Sequence, residues 1–296
     1  MNATIENFLR YVKYEKNYSD RTVEIYKEAL CNYEDFVSSQ FGAFDPKTIA
    51  VNQVRAWMVD MGRHHYAITT IKLNLSALRS YCKYLRREGW LASNPLTLLA
   101  SPKVPKPLPV WVREKDMDRI IDDSDFGEGF EAERDRLLID MLYSTGMRRA
   151  EIVGLQDKDI DMAERNIRVT GKGNKQRIIP FGQELADLIN NYINVRTREV
   201  GGPTEMFFTD ADGEGITISK AYGIARKYLS NIPTLQKHGT HVFRHSFATN
   251  MLAEGADLMA VKELLGHASL DSTEVYTHLT PQELLQNYKK AHPRGK

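Results

Sequence analysis

Residues 263–279 read ELLGHASLDSTEVYTHL, which sets a tyrosine, Tyr276, nine residues after a histidine, His267, within a run of helix-forming apolar residues. A tyrosine on a helix is commonly a half-buried packing residue, and this stretch alone favours that role over a reactive phenol. The other chemistry-bearing side chains of the second half are largely cationic. STGMRRAEIVGL places Arg148 and Arg149 just after a glycine that ends a helix, and TGKGNKQR places Lys172 and Lys175 at the tip of a hairpin. THVFRHSFATNML puts His241, Arg244 and His245 on one helix. His241 and Arg244 are three residues apart and share a face, while Phe243, Phe247 and Met251 line the packed side.

Several chemistries fit this set poorly. GKGNK lacks the GxxxxGK(S/T) spacing of a phosphate-binding P-loop. His238, His241 and His245 suggest zinc, but no HExxH and no cysteine cluster accompanies them. No serine sits in a GxSxG turn, neither cysteine has a plausible histidine base, and paired carboxylates for a two-metal nuclease are not evident. What remains is a group of cations and one phenol, the set that metal-free phosphoryl transfer on a nucleic-acid backbone requires. Two guanidiniums can clamp the non-bridging oxygens of the transition state. A phenol with a pKa of about 10 needs a cationic field or a base before it attacks. The leaving alkoxide needs a proton, which a lysine or a histidine can supply.

The elements that must hold these residues are mostly helical. Ile5, Phe8, Leu9 and Val12 form one apolar face, and Tyr26, Leu30, Tyr33 and Val37 another. TIAVNQVRAWMVDM gives a third helix with Val54, Trp57, Met58 and Met61 inward. In the fourth, AITTIKLNLSALRSYCKYLRREGW, Ile71, Leu75, Leu78, Cys82 and Leu85 pack while Lys72, Arg79, Lys83 and Arg86 recur beside them. Such a stripe is ordinarily a solvated face. Here the segment from Gly62 to Pro107 holds eight basic residues against one acid, Glu88, a net +7 in a chain whose total is +1. A face that tracks phosphates fits that imbalance equally well. NPLTLLASPKVPKPLPVW, residues 94–111, has five prolines and reads as an extended, semi-rigid basic connector between two domains.

Beyond it, helices are predicted near 113–124 and 131–145, then a hairpin of NIRVTG and QRIIPF turning at Gly173 and Asn174, with EMFFTD as a third strand. Helices follow at roughly 183–199, 219–231, 240–254, 257–267, 269–278 and 281–291. Two separated cysteines, no apolar run of membrane-spanning length and a charge-punctuated N-terminus point to a reducing cytoplasm.

Taken in order, Arg148 in TGMRRAEI, Lys172 in GKGNKQR, His241 and Arg244 in HVFRHSFAT, His267 in LLGHAS and Tyr276 in EVYTH resemble the tyrosine recombinases. The resemblance spans essentially the whole chain and is closest to the Xer-type recombinases of bacteria, with the AHPRGK ending leaning to the XerC branch. It implies a mainly α fold: a four-helix SAM-like core-binding, DNA-binding domain over 1–98, a proline-rich basic linker over 99–111, and a mixed α/β catalytic domain with a small sheet over 112–296. It implies that Arg148 and Arg244 bind the scissile phosphate and that Lys172 protonates the 5′-oxygen leaving group. His241 and His267 complete the pocket, Tyr276 is the nucleophile, and Glu151 supports the pocket without reacting. Arg149 and His245 flank this set. Met147, Phe243 and Asn250 depart from residues common in the family, and none removes a reacting group.

The activity so implied is site-specific DNA recombination through a 3′-phosphotyrosyl bond, with no metal and no cofactor, serving chromosome-dimer resolution. The implied partners are double-stranded DNA at a specific site, a homo- or hetero-tetramer with a second recombinase, and a septal DNA translocase, with no membrane insertion. Three rivals stand beside this reading: a mobile-element integrase, a relaxing topoisomerase with the same nucleophile, and a DNA-binding accessory protein without catalysis. The final stretch, PQELLQNYKKAHPRGK, begins a short amphipathic helix with Leu284, Leu285 and Tyr288 that must dock on something. The resemblance implies a neighbouring protomer as its dock, the alternative being its own domain.

Overall fold

The computed structural model describes residues 1–97, 99–102, 111–171, 175–201, 204–232, 235, 239–266, 281–292 and 294, the side chains of 123 and 281–285 aside. The chain divides into two compact units, Met1–Pro107 and Leu108–Lys296.

The first unit is a cluster of helices. α1 (Ala3–Arg10) starts at Asn2, whose side chain accepts from the Thr4 amide, and runs into a π turn at Tyr11–Glu15. α2 (Asp20–Phe41) is capped by Ser19, which accepts from the Thr22 amide. α3 (Val51–Arg63) follows a short turn at Pro46–Thr48, and α4 (Ile68–Arg87) closes the set. The predicted inward residues of all four helices are buried, Met58 only partly.

Beyond α4 the backbone departs from the extended connector. The Asn94 side chain accepts from the Leu96 amide and its carbonyl from the Thr97 amide, turning the chain so that Leu96 and Leu99 join the first core. Two leucines with a core to enter outweigh the proline at 95. The proline-rich residues 103–110 lie outside the described part.

The second unit begins with α5 (Glu114–Asp118), continued by a π turn at Arg119–Asp123. Its centre is α6 (Phe130–Thr145), where Leu138, Ile139, Met141, Leu142 and Tyr143 are all fully buried, so the helix is packed on every side. Gly146 ends α6 in the left-handed region at φ +60, and a Cβ there would lie 2.7 Å from the Phe247 ring and 2.9 Å from the Leu265 side chain. α7 (Arg149–Val153) follows.

The sheet is antiparallel in the order β1 (Ile160–Asp161), β2 (Asn166–Thr170), β3 (Gln176–Pro180), with Val169 opposite Arg177 and Thr170 opposite Gln176. The predicted hairpin is present, and its turn at 173–174 lies outside the described residues. The third strand is not EMFFTD. Phe207 and Phe208 are both fully buried, against the alternation of a strand. The Phe207 amide donates to the Leu155 carbonyl, and its carbonyl accepts from Tyr192 and Arg196. Side chains of a helix thus satisfy what a neighbouring strand would have used, and one isolated bridge, Thr209 with Gly215, remains.

α8 (Gln183–Glu199), α9 (Ile218–Leu229), α10 (His241–Ala253), α11 (Leu258–Leu265) and α12 (Pro281–Ala291) complete the described helices. The predicted helix at 269–278 falls outside them. No helix among the described residues is long and apolar enough to cross a membrane.

α12 packs on its own unit, the alternative dock that the sequence left open. Tyr288 is fully buried and stacks on His292 at 4.8 Å, and His292 packs against Tyr143 and Phe247. Arg294 then pairs with Asp140 at 3.3 Å and Glu184 at 3.0 Å. Asp140 is a fully buried carboxyl of α6, and a cation brought by the tail answers it.

Candidate active site

The short element α7 exists because Gly146 stops α6 and Arg148 takes an extended backbone conformation, leaving Glu151 at the third helical position. There one carboxylate oxygen of Glu151 accepts from the Arg148 amide at 2.8 Å and the other from Arg148 Nη1 at 2.8 Å. The same two oxygens accept from Arg177, Nη1 at 3.1 Å and Nη2 at 2.8 Å. Glu151 is 5% exposed, and burial pushes its carboxyl upward. The hydrogen bonds and charges of Arg177 and Arg148 outweigh that and hold it below the ordinary glutamate range.

α10 presents His241 at its first position, exposed, and Arg244 one turn later on the buried side. Arg244 donates from Nη1 to the Gly146 carbonyl at 2.7 Å and from Nη2 to the Leu265 carbonyl at 2.5 Å. The end of α11 is where the arginines converge. Leu264 O accepts from Arg177 Nε at 2.7 Å, Leu265 O from Arg244, and Gly266 O from Arg148 Nη2 at 3.3 Å. These carbonyls lack partners within their own helix and carry the negative end of its dipole, which suits them to hold cations.

Three guanidiniums therefore surround one carboxylate, a surplus of two positive charges before His241 is considered. Burial, then Arg148 and Arg177, pull the Arg244 guanidinium down to about 10, which leaves it charged at neutral pH. The His241 imidazole is held below its ordinary value by desolvation first, then by His245, Arg149, Arg244 and Arg148. A cationic pocket that depresses its own cations is one an anion relieves.

Of the predicted site residues, Arg148, His241 and Arg244 fall among the described ones; the two arginines converge on the end of α11, and His241 lies near enough to feel both their charges. Lys172, His267 and Tyr276 lie outside the described residues. The strands flanking Lys172 are joined at their mouth by a hydrogen bond from the Gly171 amide to the Lys175 carbonyl, 2.8 Å. Arg149 sits over the Tyr222 ring at 5.2 Å, away from Glu151's bonds, and His245 is exposed. Among the described residues no group of three or more His, Cys, Asp or Glu is placed to hold a metal ion.

On α4, Lys72, Lys83 and Arg86 are exposed, but Arg79 is half-buried and donates to Ser101 Oγ and the Leu99 carbonyl. Arg79 thus ties down the chain after α4 as well as belonging to the basic stripe. Arg177 closes the GKGNKQR motif but was given no role there, although a signal existed. In QRIIP it alternates with Ile179, so the strand period points a charged residue to the buried face.

The phage integrase family model matches residues 110–283. The chain belongs to that family. The model of the phage integrase N-terminal SAM-like domain matches residues 5–89 of this family member. Tyrosine recombinase XerC of Pelotomaculum thermopropionicum is 36% identical over 306 residues, covering 100% of each chain. Tyrosine recombinase XerC of Chlorobaculum tepidum is 33% identical over 314 residues, covering 97% of this chain and 94% of its own. Among solved structures, XerH site-specific recombinase bound to palindromic difH substrate in a post-cleavage complex gives a TM-score of 0.73. It is 23% identical over 90% of this chain and 78% of that one, a likeness of fold. The integrase fold and the Xer-type resemblance expected from the motifs are those of this chain.

Proposed function

We propose that this phage integrase family member is a site-specific DNA recombinase that cuts and rejoins one strand at a time through a 3′-phosphotyrosyl bond. The observation that carries the reading is the surplus of guanidinium charge around Glu151 and the end of α11, with Arg148 and Arg244 both part of it. In the proposed reaction these two arginines bind the non-bridging oxygens of the scissile phosphate. The Tyr276 oxygen attacks phosphorus and gives up its proton to the histidine pair, His241 and His267. The bond from phosphorus to the 5′-oxygen breaks, and Lys172 protonates that oxygen. His241, with its depressed affinity for protons, is neutral at pH 7 and able to accept one. Religation is the same sequence in reverse from the 5′-hydroxyl of a partner strand. It needs no nucleotide, because the phosphotyrosyl bond keeps the energy of the phosphodiester.

The similarity to XerC proteins over nearly full length supports a role in chromosome-dimer resolution in the cytoplasm. In this reading residues 1–98 bind the core of the DNA site with Lys72, Arg79, Lys83 and Arg86 towards phosphates, and residues 99–111 link them to the catalytic part, 112–296. Four protomers, alone or shared with a second recombinase, act on two sites, and a septal DNA translocase delivers them. A nicked suicide substrate, from which the downstream fragment diffuses away after cleavage, tests the reading. A detergent-stable protein–DNA adduct formed in the presence of EDTA is expected. Site binding with no adduct on any nicked site would leave an accessory DNA-binding protein instead.

A further inference from the structure

We propose that Arg177 is a positioning residue for strand cleavage, an inference that rests on the recombinase reading above. Its side chain is 9% exposed, on the inward face of β3 beside Ile179. All three of its nitrogens are engaged: Nη1 and Nη2 grip the two oxygens of Glu151, and Nε donates to the Leu264 carbonyl. Three of its five N–H groups are committed to Glu151 and the Leu264 carbonyl, and the side chain is more enclosed than the 37%-exposed Arg148 that it faces across that carboxylate. It acts through others.

Two arrangements pass through it. The first is Glu151, whose remaining bonds go to the Arg148 amide and Arg148 Nη1. A buried carboxylate facing Arg148 alone could swing with that partly exposed side chain, whereas the fork of Arg177 fixes both oxygens in a plane. The second is the end of α11. By holding Leu264 O, Arg177 sets the carbonyls of Leu265 and Gly266 that receive Arg244 and Arg148. Gly266 fits this purpose doubly. It adopts φ +64, and a Cβ there would come within 3.1 Å of Arg177 Cδ and 3.2 Å of its Nη1. Arg177 also lies on the strand that follows the Lys172 segment, and α11 ends two residues before His267. One guanidinium thus registers the strand after Lys172 against the helix end whose carbonyls receive Arg148 and Arg244.

The test is Arg177→Lys, which keeps the charge but cannot hold two carboxylate oxygens and a carbonyl at once. Melting, single-site gel shifts and single-turnover cleavage are read on two substrates, a natural phosphodiester and one with a methylphosphonate at the scissile position. The methylphosphonate lacks one charged oxygen and so depends less on the arginine pair. R177K is expected to melt near wild type and bind within about threefold, yet to cleave the phosphodiester at least about tenfold more slowly. On the methylphosphonate its deficit relative to wild type should shrink to within about threefold. An equal deficit on both substrates, or none on either, would overturn the positioning role. Should R177K fold poorly, the double variant Arg177→Met with Glu151→Gln removes both buried charges together, and the same substrate dependence is required of it. Wild-type protein that cleaves neither substrate would instead remove the recombinase reading itself, so the two failures are distinct.

Discussion

Glu151 receives four hydrogen bonds from two arginines, and their combined pull keeps its carboxyl below the ordinary value of 4.5 against the upward push of burial. A carboxyl with a depressed folded value adds stability that is complete above the unfolded value and is lost as pH falls through the folded one. Glu151→Gln, which leaves Arg177 buried without a counter-charge, should cost about 3 kcal/mol of stability at neutral pH. Chemical denaturation of both proteins should show that gap constant above about pH 4.5 and narrowing below it. A gap independent of pH down to the acid transition would mean that Glu151 is not held ionised by its arginines. At this scale the sequence was most readable where a motif ties residue type to spacing, as with Arg148, His241 and Arg244. Arg177 escaped because its part depends on which face of a strand meets the end of a helix 87 residues further on, and neighbouring residues do not encode that.

α12 and the tail behind it illustrate what periodicity predicts and where it stops. The amphipathic helix at 281–291 was legible from its spacing, and Tyr288 is buried as an apolar-face residue should be. Its dock was not legible, because a short apolar stripe fits a cis or a trans groove equally well. Here Tyr288, His292 and Arg294 answer Tyr143, Phe247 and Asp140 of the same unit. Deleting residues 281–296 should therefore lower the melting temperature by about 10 °C, on the scale of losing one large buried aromatic and orphaning Asp140. Unchanged melting would place the dock elsewhere.

His292 gives the same docking a pH signature. Burial pushes its imidazole down from 6.5 to about 3, so the unfolded chain binds a proton that the folded one refuses. Stability is full above the unfolded value and falls as pH drops below it, by about 2 kcal/mol near pH 5. His292→Phe, which keeps the aromatic packing, should remove that part of the acid sensitivity. An identical pH dependence in wild type and variant would show that His292 titrates freely. The segment 205–210 misled for the opposite reason: its aromatic run has strand propensity, but two consecutive buried phenylalanines and the donors of Tyr192 and Arg196 override it.

On the scale of the whole molecule, a near-neutral chain holds its excess positive charge in two places, the α4 face and the arginine cluster of the second unit. The division into a helical part and a mixed part was readable from the proline-rich stretch, although the first core extends through Leu99. Replacing Lys72, Lys83 and Arg86 together with alanine should weaken DNA binding evenly across sequences. It should also reduce the slope of log affinity against log salt by roughly 2.7, about 0.9 for each phosphate that is no longer neutralised. An unchanged slope in an anisotropy titration would make the stripe a solvated face. In the proposed reaction this charge lets one phenol attack one phosphodiester. Its most direct test is to trap the covalent adduct on a nicked site, digest protein and DNA, and locate the linkage by mass spectrometry. The expected product is a single cross-linked peptide in which Tyr276 carries a 3′-nucleotide through its phenolic oxygen, absent from Tyr276→Phe. A linkage at any other residue, or to a 5′-phosphate, would contradict it.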